Sequence, residues 1–255
     1  LVLRLIHEYR LPLKVVLGLW LDAEISNHEG CPWLTEPIPQ EELDANKISN
    51  AAEVAEGIRL ANAYPEIVAA VNVANEALVS WNDHMVPVEQ VIAYVRKVRS
   101  AIEQPVSTAE NYVWWIEDGA ELAREVDFLG VHTYPVWEGK DIDEGLSYTI
   151  ENLADVHAAH PDLPIVVMEA GWATTASEFG PRAGEPQQTR YLRELWHWAE
   201  ANNVTIFFFA AFDEPWKGNP NNPIGAEKHW GLFFEDRSPK EAVSVVRERR
   251  GLKGE

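Results

Sequence analysis

Six short apolar runs recur along the chain, each followed by a polar loop and then by a segment with helical spacing. They are KVVLGLWL (14–21), IVAAVNVANE (67–76), PVSTAEN (105–111), VDFLGVHTYP (126–135), PIVVMEAGW (164–172) and VTIFFFAAFDEPW (204–216). Runs this continuous predict strands buried on both faces, as in a parallel sheet. Between them, amphipathic spacing predicts helices near 50–63, 86–103, 117–125, 145–160, 186–202 and 239–249. The clearest is VPVEQVIAYVRKVRSAI, with Val88, Val91, Ile92, Val95 and Val98 on one face. Strand and helix in alternation predict an α/β architecture with a parallel sheet. The opening LVLRLIHEYRLPLKVVLGLWL reads as the end of a helix through about Tyr9, a turn at Leu11–Pro12 and a strand from Lys14. Its charges at Arg4, Glu8, Arg10 and Lys14 break the apolar stretch that a secretory leader requires, so the chain is expected to begin inside a fold. No low-complexity tract or Gly/Ser/Pro-rich linker interrupts the pattern, and a single domain over 1–255 is expected.

Polar residues gather where the apolar runs stop. Asn75-Glu76 closes the second predicted strand, Glu110-Asn111 the third, His132 and Tyr134 the fourth, Glu169 the fifth and Asp213-Glu214 the sixth. In a (β/α)8 barrel the active site lies at the carboxyl ends of the strands, so these groups would converge on one rim. A doubly wound sheet would place its ligand at a switch point, usually with a Gly-rich phosphate loop. The chain has neither G-x-G-x-x-G nor G-x-x-x-x-G-K-[ST], and the barrel is the better reading.

Composition narrows the chemistry. With 21 Lys+Arg against 41 Asp+Glu the formal charge is −20, which opposes nucleic acid and anionic membrane surfaces as partners. No apolar run approaches the roughly 18–20 residues of a spanning helix. The lone Cys31 excludes an intrachain disulfide and any multi-cysteine metal site. Eleven Trp beside 7 Tyr and 8 Phe suit stacking on uncharged, hydroxyl-rich ligands, and carbohydrate is the first expectation. Glu76 and Glu169 each follow an apolar strand directly. One alone would read as a helix cap or the partner of a buried Arg. Two at the ends of different strands, beside Tyr134 and Trp172, fit glycosidic cleavage, in which one carboxyl protonates the leaving oxygen and the other attacks or activates water.

With these residues in view, VNVANEAL, GVHTYPVW, VVMEAGW and FFFAAFDEPWK together resemble glycoside hydrolase family 17, the β-1,3-glucanases and β-1,3-glucanosyltransferases, over about Lys14 to Pro239. The resemblance implies a (β/α)8 barrel and a retaining mechanism on β-1,3-glucan, with Glu76 as acid/base and Glu169 as nucleophile. It further implies that Asn75 bonds the sugar 2-hydroxyl, that Tyr134 holds the nucleophile, and that Trp172 and Trp216 line glucose subsites. Glu214 and Lys217 match the polar end of the last strand's motif. By the same correspondence, the strands at 14–21 and 67–76 are the third and fourth of the barrel, so the chain is expected to lack the first two. No metal or organic cofactor is implied. The expected partner is a β-glucan oligo- or polysaccharide, without direct membrane insertion, and the expected location is the cell envelope, periplasm or exterior. Transglycosylation is the leading alternative, and a non-catalytic glucan-binding module is the alternative from another class. Metal-dependent hydrolysis using His132 ranks last.

Other positions are read more plainly. Trp20 ends the first predicted strand and is a subsite candidate, whereas Trp33 is undecided. Glu110 and Asn111 are candidate substrate contacts, and the following Trp114-Trp115 either floors a distal subsite or packs on the barrel. His132 either orients active-site groups or is structural, and His84 stands on the acceptor side of Glu76. Helical spacing makes at least one of Trp196 and Trp198 core. His157 and His160 read as surface histidines, Cys31 as a loop thiol, and the acidic runs 41–44 and 141–144 as solvated faces.

Overall fold

The computed structural model describes residues 1–249 and Gly251. Its strands are β1 (Val15–Leu19), β2 (Val68–Asn75), β3 (Val106–Asn111), β4 (Leu129–Thr133), β5 (Ile165–Ala170) and β6 (Thr205–Phe208). They form one sheet in chain order, with β1/β2, β2/β3 and β5/β6 paired in parallel. Helix α1 (Val2–Tyr9) precedes β1. Each strand-to-strand connection is then helical: α2 (Gln40–Ala63), α3 (Val88–Arg99), α4 (Tyr112–Glu117) with α5 (Ala120–Ala123), α6 (Ile142–Ala159) and α7 (Glu185–Asn202). Helix α8 (Val243–Arg249) follows β6. The chain divides into two compact units, one of residues 1–131 with 156–165, the other of residues 132–155 with those from 166 onward.

In the first unit, Val71 and Val73 of β2, Val106 of β3, and Val91, Val95 and Val98 of α3 are all fully buried. The apolar stripe read on α3 is therefore the stripe that packs. Helix α2 begins ten residues earlier than its predicted start. Its inward face is Leu43, Asn50, Val54, Gly57 and Ala61. The spacing is helical, but Asn and Gly hide it from a hydrophobicity pattern. Gly57 is required there, because a Cβ would stand 2.3 Å from the Leu19 side chain of β1. Loop and helix are joined by a buried polar cluster: Glu24 Oε1 accepts from Asn50 Nδ2 at 2.9 Å and from the Tyr94 hydroxyl at 2.7 Å. Burial and that carboxylate push the Tyr94 phenol up to about 12.

In the second unit, Trp172, Tyr191 and Leu195 are fully enclosed. Gln188, also fully buried, sends its amide N–H toward the carbonyls of Trp172, Trp230 and Gly231 at 2.9–3.2 Å. Trp196 lies half-buried against the cluster of Leu192, Ala242 and Val245. Strand β6 departs from expectation. It stops at Phe208, well short of residue 216, and alternates exposed with half-buried positions. It stands at the end of the strand order. The 141–144 acidic run is a solvated face as expected: Asp141, Asp143 and Glu144 are exposed, and Asp143 meets Arg190 at the surface at 2.5 Å. His160 is half-buried, its Nε2 2.7 Å from the Trp115 carbonyl.

Candidate active site

The end of β2 is where the chain departs most from ideal strand geometry. Ala74 and Glu76 both have positive φ, 69° and 49°, and the pairing with β3 is irregular between Asn72 and Asn75. Left-handed φ at a residue with a Cβ costs on the order of 1–3 kcal/mol and persists only where its surroundings impose it. Here the Glu76 N–H donates to the Ala109 carbonyl at 2.8 Å, and Asn82 Nδ2 donates to the Glu76 carbonyl at 2.9 Å. The same amide lies 3.4 Å from Glu76 Oε2. Asn27 in turn holds the 80–82 loop through the carbonyls of Ser80 and Asn82, at 2.6 and 2.9 Å. Glu76 and Asn75 are both half-buried. His84 Nε2 is 2.9 Å from the Asn75 carbonyl and its Nδ1 is 3.1 Å from Asp83 Oδ1. The Trp20 ring lies 4.4 Å from the His84 ring and leaves 53% of Trp20 exposed. Trp20, His84, Asn75 and Glu76 thus sit together, as do Glu76 and Glu110.

Glu110 and Asn111 stand differently from their expected roles as ligand contacts. Asn111 is the N-cap of α4, its Oδ1 accepting from the Val113 N–H at 2.9 Å, so that acceptor is committed to the helix. Glu110 is fully buried and has no surface to give a substrate. Burial and the neighbouring Glu76 charge push its carboxyl well above the ordinary glutamate range. The N–H groups of Ala77 and Leu78 face it and oppose that rise, yet neither carboxylate oxygen has a partner in hydrogen-bonding geometry. Trp115 is also core, its indole N–H on the Gly130 carbonyl at 2.8 Å.

In the second unit the Tyr134 hydroxyl donates to Glu169 Oε2 at 2.7 Å, and His132 Nδ1 stands 3.7 Å from the same oxygen. The Glu169 side chain keeps 22% exposure while His132 is fully enclosed. His132 therefore presents no surface to a ligand, which corrects its place among substrate contacts. Tyr134 is braced edge-on by Trp230 at 5.0 Å and Phe209 at 6.2 Å. Trp137, 46% exposed, extends this aromatic wall through Phe179 at 4.6 Å.

Trp172 is a further correction. Gly171 brings the chain so close to the Phe209 carbonyl that a Cβ would be 2.3 Å away, and the next residue turns inward. Its ring packs on Tyr191 at 5.3 Å and its indole N–H donates to the Arg182 carbonyl at 2.7 Å. Fully buried, it offers no face for stacking. Beyond β6, Trp216 is 72% exposed. Lys217 reaches Glu214 at 3.5 Å and lies over the Phe209 ring at 4.5 Å. Sequence reasoning did not single out Asn82, Trp137, Arg182 or Trp230. Trp137 lies inside a motif quoted for other residues and Asn82 two residues before His84, whereas Arg182, at the end of the short 3-10 helix Gly180–Arg182, and Trp230, in a loop, have no spacing that marks them.

The chain has relatives among known proteins. The BtgE/BtgC glycoside hydrolase domain matches residues 1–231. A glucan 1,3-beta-glucosidase of Arthroderma benhamiae is 27% identical over 241 residues, 89% of this chain and 70% of that protein. A putative glucan endo-1,3-beta-glucosidase, btgC, of Aspergillus niger is 25% identical over 91% of this chain, which spans 34% of that protein's length. Among solved structures, an endo-laminarinase from Formosa Hel1_33_131 superposes with a TM-score of 0.83 at 22% identity, over 99% of this chain and 75% of that one. An active-site mutant of the Rhizomucor miehei beta-1,3-glucanosyltransferase, in complex with laminaritriose, gives 0.70 at 23% identity, over 94% and 79%. The fold is accordingly that of a partial (β/α)8 barrel, of which the described residues form six strands. Among the described residues no helix is long and apolar enough to cross a membrane.

Proposed function

The chain belongs to the BtgE/BtgC glycoside hydrolase domain family, and from that premise we propose that it cleaves β-1,3-glucan by double displacement, with Glu169 as nucleophile and Glu76 as acid/base. The observation that carries the reading is the Tyr134–Glu169 hydrogen bond at 2.7 Å. It holds one carboxylate oxygen, leaving the other to attack. Glu169 displaces the leaving oxygen from the anomeric carbon and forms a glucosyl ester, while Glu76 protonates that oxygen. Glu76, now a carboxylate, takes a proton from the incoming water. That water's oxygen breaks the ester and returns Glu169 as a carboxylate. Two carboxyls in these roles stand about 5–5.5 Å apart.

An acid/base serves the leaving-group side, so the neighbours of Glu76 border the acceptor. The half-exposed Trp20 ring, fixed on His84, supplies an aromatic face there for stacking on sugar C–H groups. That observation favours a second reading in which a glucan hydroxyl, rather than water, takes the glucosyl group. The substrate is a β-1,3-glucan met outside the cytoplasmic membrane.

The test is a mass-resolved product profile from a linear β-1,3-gluco-oligosaccharide, run beside Glu169→Gln. Shorter products alone, absent in the variant, establish hydrolysis. Longer products as well establish transfer. Tight binding without product, unchanged in Glu169→Gln, would refute catalysis and leave a glucan-binding module.

A further inference from the structure

Resting on the assignment of Glu76 as acid/base, we propose that Asn82 is a positioning residue for it: one side-chain amide holds both the backbone carbonyl and the carboxyl of Glu76, tying the acid's direction to its strained turn. Asn82 Nδ2 donates to the Glu76 carbonyl at 2.9 Å and to Glu76 Oε2 at 3.4 Å. Both atoms are acceptors, and an amide nitrogen carries two hydrogens, one for each. The first bond opposes the return of Glu76 from its φ of 49° to ordinary strand geometry. The second is long, as catalytic hydrogen bonds often are before substrate binds. It acts on the group that must be aimed. An acid/base alternates between two charge states, and a neutral amide can donate to either. A Lys or Arg in the same place would hold Glu76 ionised, and a hydrocarbon side chain would leave it unguided.

Asn82 can serve in this way because its loop is fixed in three places. At the base, the Val86 N–H donates to the Ala77 carbonyl at 3.0 Å. On the flank, the N–H groups of Glu24 and Ile25 both donate to the Met85 carbonyl, at 2.9 and 3.2 Å. At the tip, Asn27 Nδ2 donates to the carbonyls of Ser80 and of Asn82 itself, at 2.6 and 2.9 Å. Gly30 lets the two loops approach, since a Cβ there would stand 2.5 Å from the Ser80 carbonyl oxygen and 2.7 Å from Asn27 Oδ1. Two residues after Asn82, His84 Nε2 lies 2.9 Å from the Asn75 carbonyl. Side chains of this one loop thus take the carbonyls of both Asn75 and Glu76. The loop after β1 braces the loop after β2, and the second loop braces the acid. A supporting shell of this kind is what keeps a catalytic group within about 0.5 Å of its working position.

The experiment compares kcat/KM on a linear β-1,3-gluco-oligosaccharide with kcat/KM on a dinitrophenyl β-laminaribioside, whose phenolate departs without a proton. Wild type, Asn82→Ala, Asn82→Asp, Asn27→Ala and Glu76→Gln are run together, with folding checked by circular dichroism. Glu76→Gln should lose the oligosaccharide and keep the dinitrophenyl substrate. Asn82→Ala should lower the oligosaccharide value by roughly 10- to 100-fold and the dinitrophenyl value by less than about 3-fold, a split that a general loss of structure does not produce. Asn27→Ala should act in the same direction and less, because Asn82 remains. The Glu76 carboxyl is also followed by NMR through a pH titration, its signal assigned by its loss in Glu76→Gln. Glu110 at the end of β3, Tyr112 at the start of α4 and the Asp83–His84 pair on the loop are titratable too, and they are the same in every variant. Without the amide donor the Glu76 midpoint should rise, by about half a pH unit in Asn82→Ala and further in Asn82→Asp, whose charge repels that of Glu76. Equal effects of Asn82→Ala on the two substrates, or a Glu76 midpoint unchanged in both Asn82 variants, overturn the proposal. A Glu76→Gln variant without the split, or a wild type that cleaves neither substrate, overturns the acid/base reading instead, while the titration still decides whether Asn82 holds Glu76.

Discussion

Lys240→Met tests how the segment after β6 is held. The Lys240 side chain is fully enclosed, and its ammonium donates to Asp213 Oδ1 at 2.6 Å and Thr174 Oγ1 at 2.7 Å, with the His229 carbonyl at 3.4 Å. Asp213 is nearly as buried, and its Oδ1 also accepts the Gly231 N–H at 2.9 Å. Burial pushes the ammonium below the ordinary lysine range, and the Asp213 carboxylate draws it back. Methionine fills similar volume but leaves the carboxylate with the Gly231 N–H and the His229 ring at 3.7 Å. Removing one partner of a buried pair costs about 3–5 kcal/mol, and those remaining contacts place the expected loss near the lower bound, about 3 kcal/mol. With a urea m-value of about 3 kcal/mol/M, the midpoint should fall by about 1 M, read by fluorescence of the buried tryptophans. Asp213→Asn with Lys240→Met removes both charges and should recover at least half of the loss, because an intact carboxylate is no longer stranded. A midpoint for Lys240→Met within about 0.2 M of wild type would refute the reasoning, as would a double variant no more stable than the single.

Three further outcomes are expected. Tyr134→Phe removes a charged hydrogen bond worth about 1.5–3 kcal/mol and should lower kcat/KM on β-1,3-glucan by roughly 10- to 100-fold, with circular dichroism unchanged; equal rates would show that Tyr134 does not orient Glu169. Glu110 has a carboxyl raised in the folded state above its ordinary 4.5, so the folded protein holds a proton that the unfolded chain gives up. Its contribution should therefore erode stability as pH rises above about 4.5, by up to about 1.4 kcal/mol per unit until the folded group ionises. The difference between wild type and Glu110→Leu across a series of urea melts from pH 4 upward measures it, and a pH-independent difference would contradict the burial argument. Gly57→Ala forces a Cβ to within 2.3 Å of Leu19 and should cost about 1–3 kcal/mol through overpacking, visible as a lower melting temperature; an unshifted melt would mean that α2 and β1 give way freely.

The repeating order of strand and helix was legible from residue pattern alone, because a strand buried on both faces and a helix with one apolar stripe leave different periods in the sequence. Positions 68–75, 106–111 and 165–170 formed strands where continuous apolar runs predicted them. The first half of α2 did not show, because its inward face includes Asn50 and Gly57, chosen for the Asp22–Glu24 loop and for close approach to β1. Strand-end chemistry was equally visible in kind: carboxylates and hydroxyls directly after apolar runs mark a rim whatever the packing. What each of those side chains touches was decided by tertiary structure. Trp172 and Trp216 look alike in sequence, yet the chain's close pass at Gly171 turns one into the core while the other stays exposed. Glu76 and Glu110 are both strand-end glutamates, but one lies at a strained, half-open turn and the other is sealed without a partner. Sequence determines which groups arrive at the rim, since periodicity is a local property of the chain. Burial, orientation and proton affinity depend on neighbours distant in sequence, and only the packed structure supplies those.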